Sequence, residues 1–71
     1  MQQWEYLILT VTFGDNDIVK SVTRGCPKIF ENVKMSVVLE YMDALKSEGW
    51  EVMNLCPMEL GESYPFKKFV E

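Results

Sequence analysis

Cys26 stands two residues after Arg24 and directly after Gly25, so a cation lies close to a thiol. A neighbouring cation lowers a thiol's pKa and favours the nucleophilic thiolate. Turnover on such a thiolate needs a base or a resolving cysteine. The chain has no histidine, and its other cysteine, Cys56, is far along the sequence. Glu48 and Glu51 flank Gly49-Trp50, but nothing in the sequence sets a nucleophile or a held water opposite these carboxylates. Asp15-Asn16-Asp17 resembles the start of a calcium loop, yet Lys20 occupies the place where that loop turns on glycine, and no glutamate closes it. Two acids in a turn are ordinary turn chemistry. Without histidine the commonest general base and zinc ligand is missing, and no glycine-rich phosphate loop or nucleophile elbow is present. The expectation is a chain that is not an enzyme and holds neither metal nor cofactor.

Binding is the chemistry the residue types do offer. Trp4, Tyr6 and Phe66 are aromatic surfaces on which a planar ligand could stack, at about 1–3 kcal/mol per base. Lys20, Arg24, Lys67 and Lys68 are the cations that would hold its phosphate. From Lys20 to Lys34 four cations stand against one acid, Glu31. The whole chain carries a net charge of −4, which argues against a polynucleotide, whose binding rests on phosphate neutralisation. A small anionic, nucleotide-like ligand needs far fewer cations. The plainer reading of the same lysines is a solvated segment that discourages edge-to-edge strand pairing.

The elements that must position these residues fit one small domain, residues 1–71. A domain of this size buries only about 60% of the surface of its unfolded chain, so its own core is marginal. Disulfides, metals or association are the usual remedies. Two cysteines allow one bridge at most, and the expectation is free thiols in a reducing, cytoplasmic setting. The opening Met1-Gln2-Gln3-Trp4 lacks the basic start of a secretion signal. No apolar run approaches the ~20 residues of a membrane span. That leaves association between copies as the expected source of extra stability.

Trp4 to Phe13 alternates as a strand, with Leu7, Leu9, Val11 and Phe13 on one face and Trp4, Tyr6, Ile8, Thr10 and Thr12 on the other. Gly14-Asp15-Asn16-Asp17 is a dense turn signal, and Ile18 to Thr23 returns as a second strand. Arg24 to Met35 has no clean period and reads as a long connection. Ser36 is placed to cap a helix running to Glu48, with Val38, Tyr41, Met42 and Leu45 at helical spacing and Gly49 just past its end. Trp50 to Cys56 reads as a strand stopped by Pro57, Met58 to Pro65 as a turn region, and the segment from Tyr64 or Phe66 to Val70 as the last strand. The predicted fold class is α+β: a small β-β-α-β-β domain, mostly antiparallel, with one helix packed on one face.

One helix covers one face of a sheet. If Leu7, Leu9, Val11 and Phe13 lie under it, Trp4, Tyr6 and Ile8 lie on the side left open, joined from the last strand by Tyr64 or by Phe66, Lys68 and Val70. A large exposed apolar patch marks an interface. Large aromatics pack more often than they recognise ligands, so a homo-oligomer is read first. Another protein partner stays open beside it, and so does the small anionic ligand.

Trp4-Glu5-Tyr6 and Leu45-Lys46-Ser47-Glu48-Gly49-Trp50-Glu51-Val52, followed by Pro57 and Phe66-Lys67, form a pattern over nearly the whole chain. In this the chain resembles the bacterial and phage family of domains of unknown function numbered 4177. That family is similar in its W-E-Y opening strand, its L-x-x-E-G-W-E helix-to-strand junction and its closing aromatic-Lys/Arg strand. The segment Arg24 to Met35 has no counterpart in the pattern. The resemblance implies the fold and no activity, and carries over no catalytic residue. It implies scaffold roles: a sharp exit at Gly49, Trp4 and Trp50 filling space between helix and sheet edges, and Glu5 and Glu51 paired with neighbours such as Lys67.

Overall fold

The alternation of the first segment makes β1, Gln3–Phe13, whose Leu9 and Val11 are fully buried. A computed structural model describes residues 3–70. Met1 and Gln2, on which the reading of the chain's start partly rests, and Glu71 lie outside the described residues. Asn16 and Asp17 both take positive φ, 55° and 62°, as the central pair of a type I′ turn, whose twist suits a hairpin. The chain returns as β2, Ile18–Arg24, antiparallel to β1.

The stretch read as a connection is a strand instead: β3, Lys28–Lys34, pairs antiparallel with β2. It leads directly into α1, Met35–Ser47. Short strands β4, Glu51–Val52, and β5, Cys56–Met58, follow. The long β6, Gly61–Val70, closes the chain against β1. The six strands form one antiparallel sheet in the order β3-β2-β1-β6-β4, with β5 also on β6. The fold is α+β with a single helix on one face, and two strands more than the sequence led us to expect.

Ser36 does not cap the helix; Lys34 holds that position with no side-chain bond. The other end is more fully specified. Gly49, at φ 99°, donates its N–H to the Lys46 carbonyl at 3.0 Å, and Trp50 donates to that of Leu45 at 3.1 Å. These two bonds define a Schellman stop, which also brings the flanking apolar residues together. Leu45 and Trp50 are both buried in the core. That core joins Leu9 and Val11, Val19 and Val22, Phe66, and Val38 and Met42 of the helix.

The single strand expected from Trp50 to Cys56 is split. Met53 donates its N–H to the Pro65 carbonyl at 2.7 Å. A residue's N and O point to the same side of a strand, so Pro65 turns its hydrogen-free nitrogen toward β4 and β5. The ladder has no donor there, and Met53 to Leu55 stand out between the two short strands, all exposed. Pro57 lies inside β5 rather than ending a strand, and Pro65 lies inside β6 rather than in a turn.

The molecule measures 46 × 22 × 20 Å. The 13 residues of α1 reach about 20 Å, against roughly 37 Å for the 11 residues of β1. The β1–β2 ladder begins only at Leu9 with Arg24, and the β4–β6 ladder ends at Glu51 with Lys67. Gln3 to Tyr6 with Lys67 to Val70 therefore project as an almost bare two-stranded arm. No helix of the described residues is long and apolar enough to cross a membrane.

Candidate interaction face

Directly opposed residues of an antiparallel pair share a face. Trp4 opposes Phe69, Tyr6 opposes Lys67, Ile8 opposes Pro65 and Thr10 opposes Ser63, and all lie on the side away from α1. Trp4 and Phe69 meet edge to face at 5.2 Å. The Lys67 ammonium sits 4.8 Å from the centre of the Trp4 ring. Across the ladder from Lys67, Glu51 sets a carboxylate on the same face. Tyr6 is 68% exposed, Ile8 50%, Trp4 45%, Phe69 41% and, further along, Met58 51%. With aromatics offering 150–250 Å² each, this is roughly 500 Å² of open apolar surface, near the upper end of what monomers leave bare.

Three of the seven predicted binding residues, Trp4, Tyr6 and Lys67, meet on this face. Phe66 does not: it opposes Leu7, faces the helix and is fully buried. Phe69 stands where Phe66 was expected. Lys68 opposes Glu5 on the helix side, with its ammonium 5.8 Å from the Trp50 ring. Arg24 is also on the helix side, opposite Leu9, where its guanidinium donates to the Tyr41 hydroxyl at 2.9 Å. Tyr41 in turn packs edge to face on Phe30 at 5.5 Å. Lys20 lies at the hairpin end, lining a cleft of about 540 Å³ with Thr12, Asp15 and Asn32. Eight residues of strand separate Trp4 from Thr12, about 27 Å. The four cations thus stand in separate places rather than around one phosphate.

Trp50 fills the space under the helix as the resemblance implied, whereas Trp4 stands on the open face. Among the described residues the one ion pair is Lys28 with Glu31, 2.7 Å and exposed; it holds the Glu31 carboxyl below its ordinary range. Neither Glu5 nor Glu51 forms one with another described residue. Cys26 and Cys56 are free and exposed. Among the described residues no polar side chain is buried, and no group of three His, Cys, Asp or Glu residues converges.

On the helix side Tyr64 donates its hydroxyl to Glu62 at 3.2 Å. Partial burial raises its pKa, and the neighbouring Glu62 carboxylate adds to this, because both disfavour the phenolate. The fold therefore gains from neutral Tyr64 below the ordinary tyrosine pKa. That gain is lost as pH rises through the higher folded value. Absorbance titration near 295 nm should show Tyr64 ionising above the ordinary tyrosine value, and Glu62→Gln should bring it part of the way back.

No family model, curated protein or solved structure matches this chain. The resemblance to family 4177 rests on the motif residues alone.

Proposed function

We propose that this chain is a non-catalytic association module whose action is binding through the sheet face its helix leaves open, and that further copies of the chain cover that face. The observation that carries the reading is the continuous apolar surface of Trp4, Tyr6, Ile8 and Phe69, exposed on a domain with little core of its own. Its charges suit self-association, since Lys67 and Glu51 lie side by side and a second copy turned by half a revolution offers the opposite order. Exposed free thiols agree with a reducing, cytoplasmic setting. Membership of family 4177 belongs to the same proposal and is supported by the W-E-Y and E-G-W-E segments. A nucleotide-like ligand is disfavoured because the four predicted cations stand apart, leaving Lys67 alone beside the aromatics.

Sedimentation velocity tests it. The wild type should sediment at a multiple of the protomer mass, and Ile8→Lys with Phe69→Lys should lower that mass while leaving the circular dichroism of the fold unchanged. A wild type at protomer mass throughout the micromolar range would overturn the reading. A thermal shift with nucleoside phosphates that Lys67→Ala abolishes would replace it with the ligand reading.

A further inference from the structure

We infer that the bare edge of the arm pairs with the same edge of a second copy, with Trp4 of each chain opposite Tyr6 of the other. The inference rests on the association reading for the nature of the partner, but on a different part of the molecule. The Ile8 carbonyl accepts from the Gly25 N–H at 2.9 Å, so Ile8 turns its main-chain groups toward the β2 side. By strand alternation Trp4 and Tyr6 do the same. Among the described residues nothing pairs with β1 on that side before Ile8. Trp4 and Tyr6 therefore offer two N–H donors and two carbonyl acceptors on one open edge.

With pairs drawn from the described residues alone, one symmetric antiparallel register uses all four groups and leaves the Ile8 carbonyl to Gly25. Trp4 of one copy opposes Tyr6 of the other, and Glu5 opposes Glu5 on the axis. Four main-chain bonds form, and each ring of Trp4 gains a cross-strand aromatic neighbour, a favourable pair in sheets. On the helix side the row becomes Lys68, Glu5, Glu5, Lys68, because each Glu5 already opposes a Lys68 of its own chain. The two open faces then continue one another on the same side of a longer sheet. The other edges are guarded against such pairing: β3 carries Lys28, Glu31 and Lys34 and is kinked at Asn32, φ 52°; β6 is covered by β5 and β4 as far as Lys67. Residues 3–8 have neither lysine nor proline, and their one charge, Glu5, lies opposite Lys68 of its own chain.

Cross-linking tests the register. In a chain with Cys26→Ser and Cys56→Ser, and with Ile8→Lys and Phe69→Lys to disable the open face, Glu5→Cys is oxidised with a mild disulfide reagent. Residues opposed in a non-hydrogen-bonded pair have Cα atoms about 4.5 Å apart, within disulfide reach. A covalent dimer should form at least about ten-fold faster than from Glu31→Cys, another exposed strand position, on the far edge. Adding Tyr6→Pro, which deletes one outward donor and none of the β1–β6 bonds, should abolish that difference. Equal rates at the two positions, or an advantage that survives Tyr6→Pro, would overturn the inference. Either result is readable whether or not the face variants alter the mass of the parent protein.

Discussion

Gly61→Ala is expected to remove about a third or more of the protein's stability. A methyl carbon at Gly61 would lie 1.9 Å from the Val11 carbonyl oxygen, 2.9 Å from its carbon and 3.0 Å from Thr12 Cα. All three are backbone atoms of β1, so no side-chain rotation relieves the overlap. The strands have to separate, and they do so beside fully buried Val11. Overpacking a tight site costs about 1–3 kcal/mol when side chains can shift, and a backbone clash belongs at or above that upper end. At 0.05–0.15 kcal/mol per residue a domain of this length holds only roughly 4–10 kcal/mol. Urea unfolding followed by circular dichroism should show the midpoint fall by about a third or more. Gly25 is the control: nothing lies within 4 Å of its added carbon, and only its φ of 68° resists. Gly25→Ala should cost about 1–2 kcal/mol, and Gly25→Asn less, since asparagine tolerates that conformation. A Gly61→Ala protein as stable as wild type would mean that Thr12 and Gly61 are not opposed.

Signals that are local in their physics could be read from the sequence. Gly14-Asp15-Asn16-Asp17 turns because consecutive residues there accept positive φ. The helix ends where Leu45, Gly49 and Trp50 supply the acceptor, the left-handed residue and the apolar clasp of a Schellman stop. Those three residues are also the core of the L-x-x-E-G-W junction. The motif thus describes how a helix stops over a sheet, which explains why it speaks to fold and is silent on activity.

What depended on pairing was not legible. β3 was missed because it breaks the period of two. Phe30 and Val33 face the same way as their partners Val22 and Val19, with two residues between instead of one. The register of β1 with β2 slips at the same level, where Thr12 opposes Ser21 but Phe13 opposes Val19, leaving Lys20 extra. Asn32, beside Lys20, takes the positive φ that lets β3 follow. Two strands with matching irregularities pair well together, although neither alone looks like a strand. The bare arm was equally hidden, because it is defined by where the neighbouring ladders stop.

The remaining misreading, the exchange of Phe66 for Phe69, leads to the second large effect. Phe66-Lys67-Lys68-Phe69 gives each face of the strand one phenylalanine and one lysine, so alternation alone cannot say which ring is buried. The register decides it: Phe66 opposes Leu7 under the helix and Phe69 opposes Trp4 on the open side. Phe66 is fully buried among Leu9, Val22 and Leu45 of the core, and Phe66→Ala is expected to cost about 3–5 kcal/mol through lost burial and an unfilled cavity. Measured by urea unfolding, that would leave little of the fold's stability. Phe69→Ala should cost the isolated protomer under about 1.5 kcal/mol, chiefly its edge-to-face contact with Trp4, and its main effect should fall on assembly. The pair of substitutions separates fold from association on residues of one type, three positions apart. Equal loss of stability from both would mean that the open face belongs to the protomer's own core, and association would then lose its physical reason.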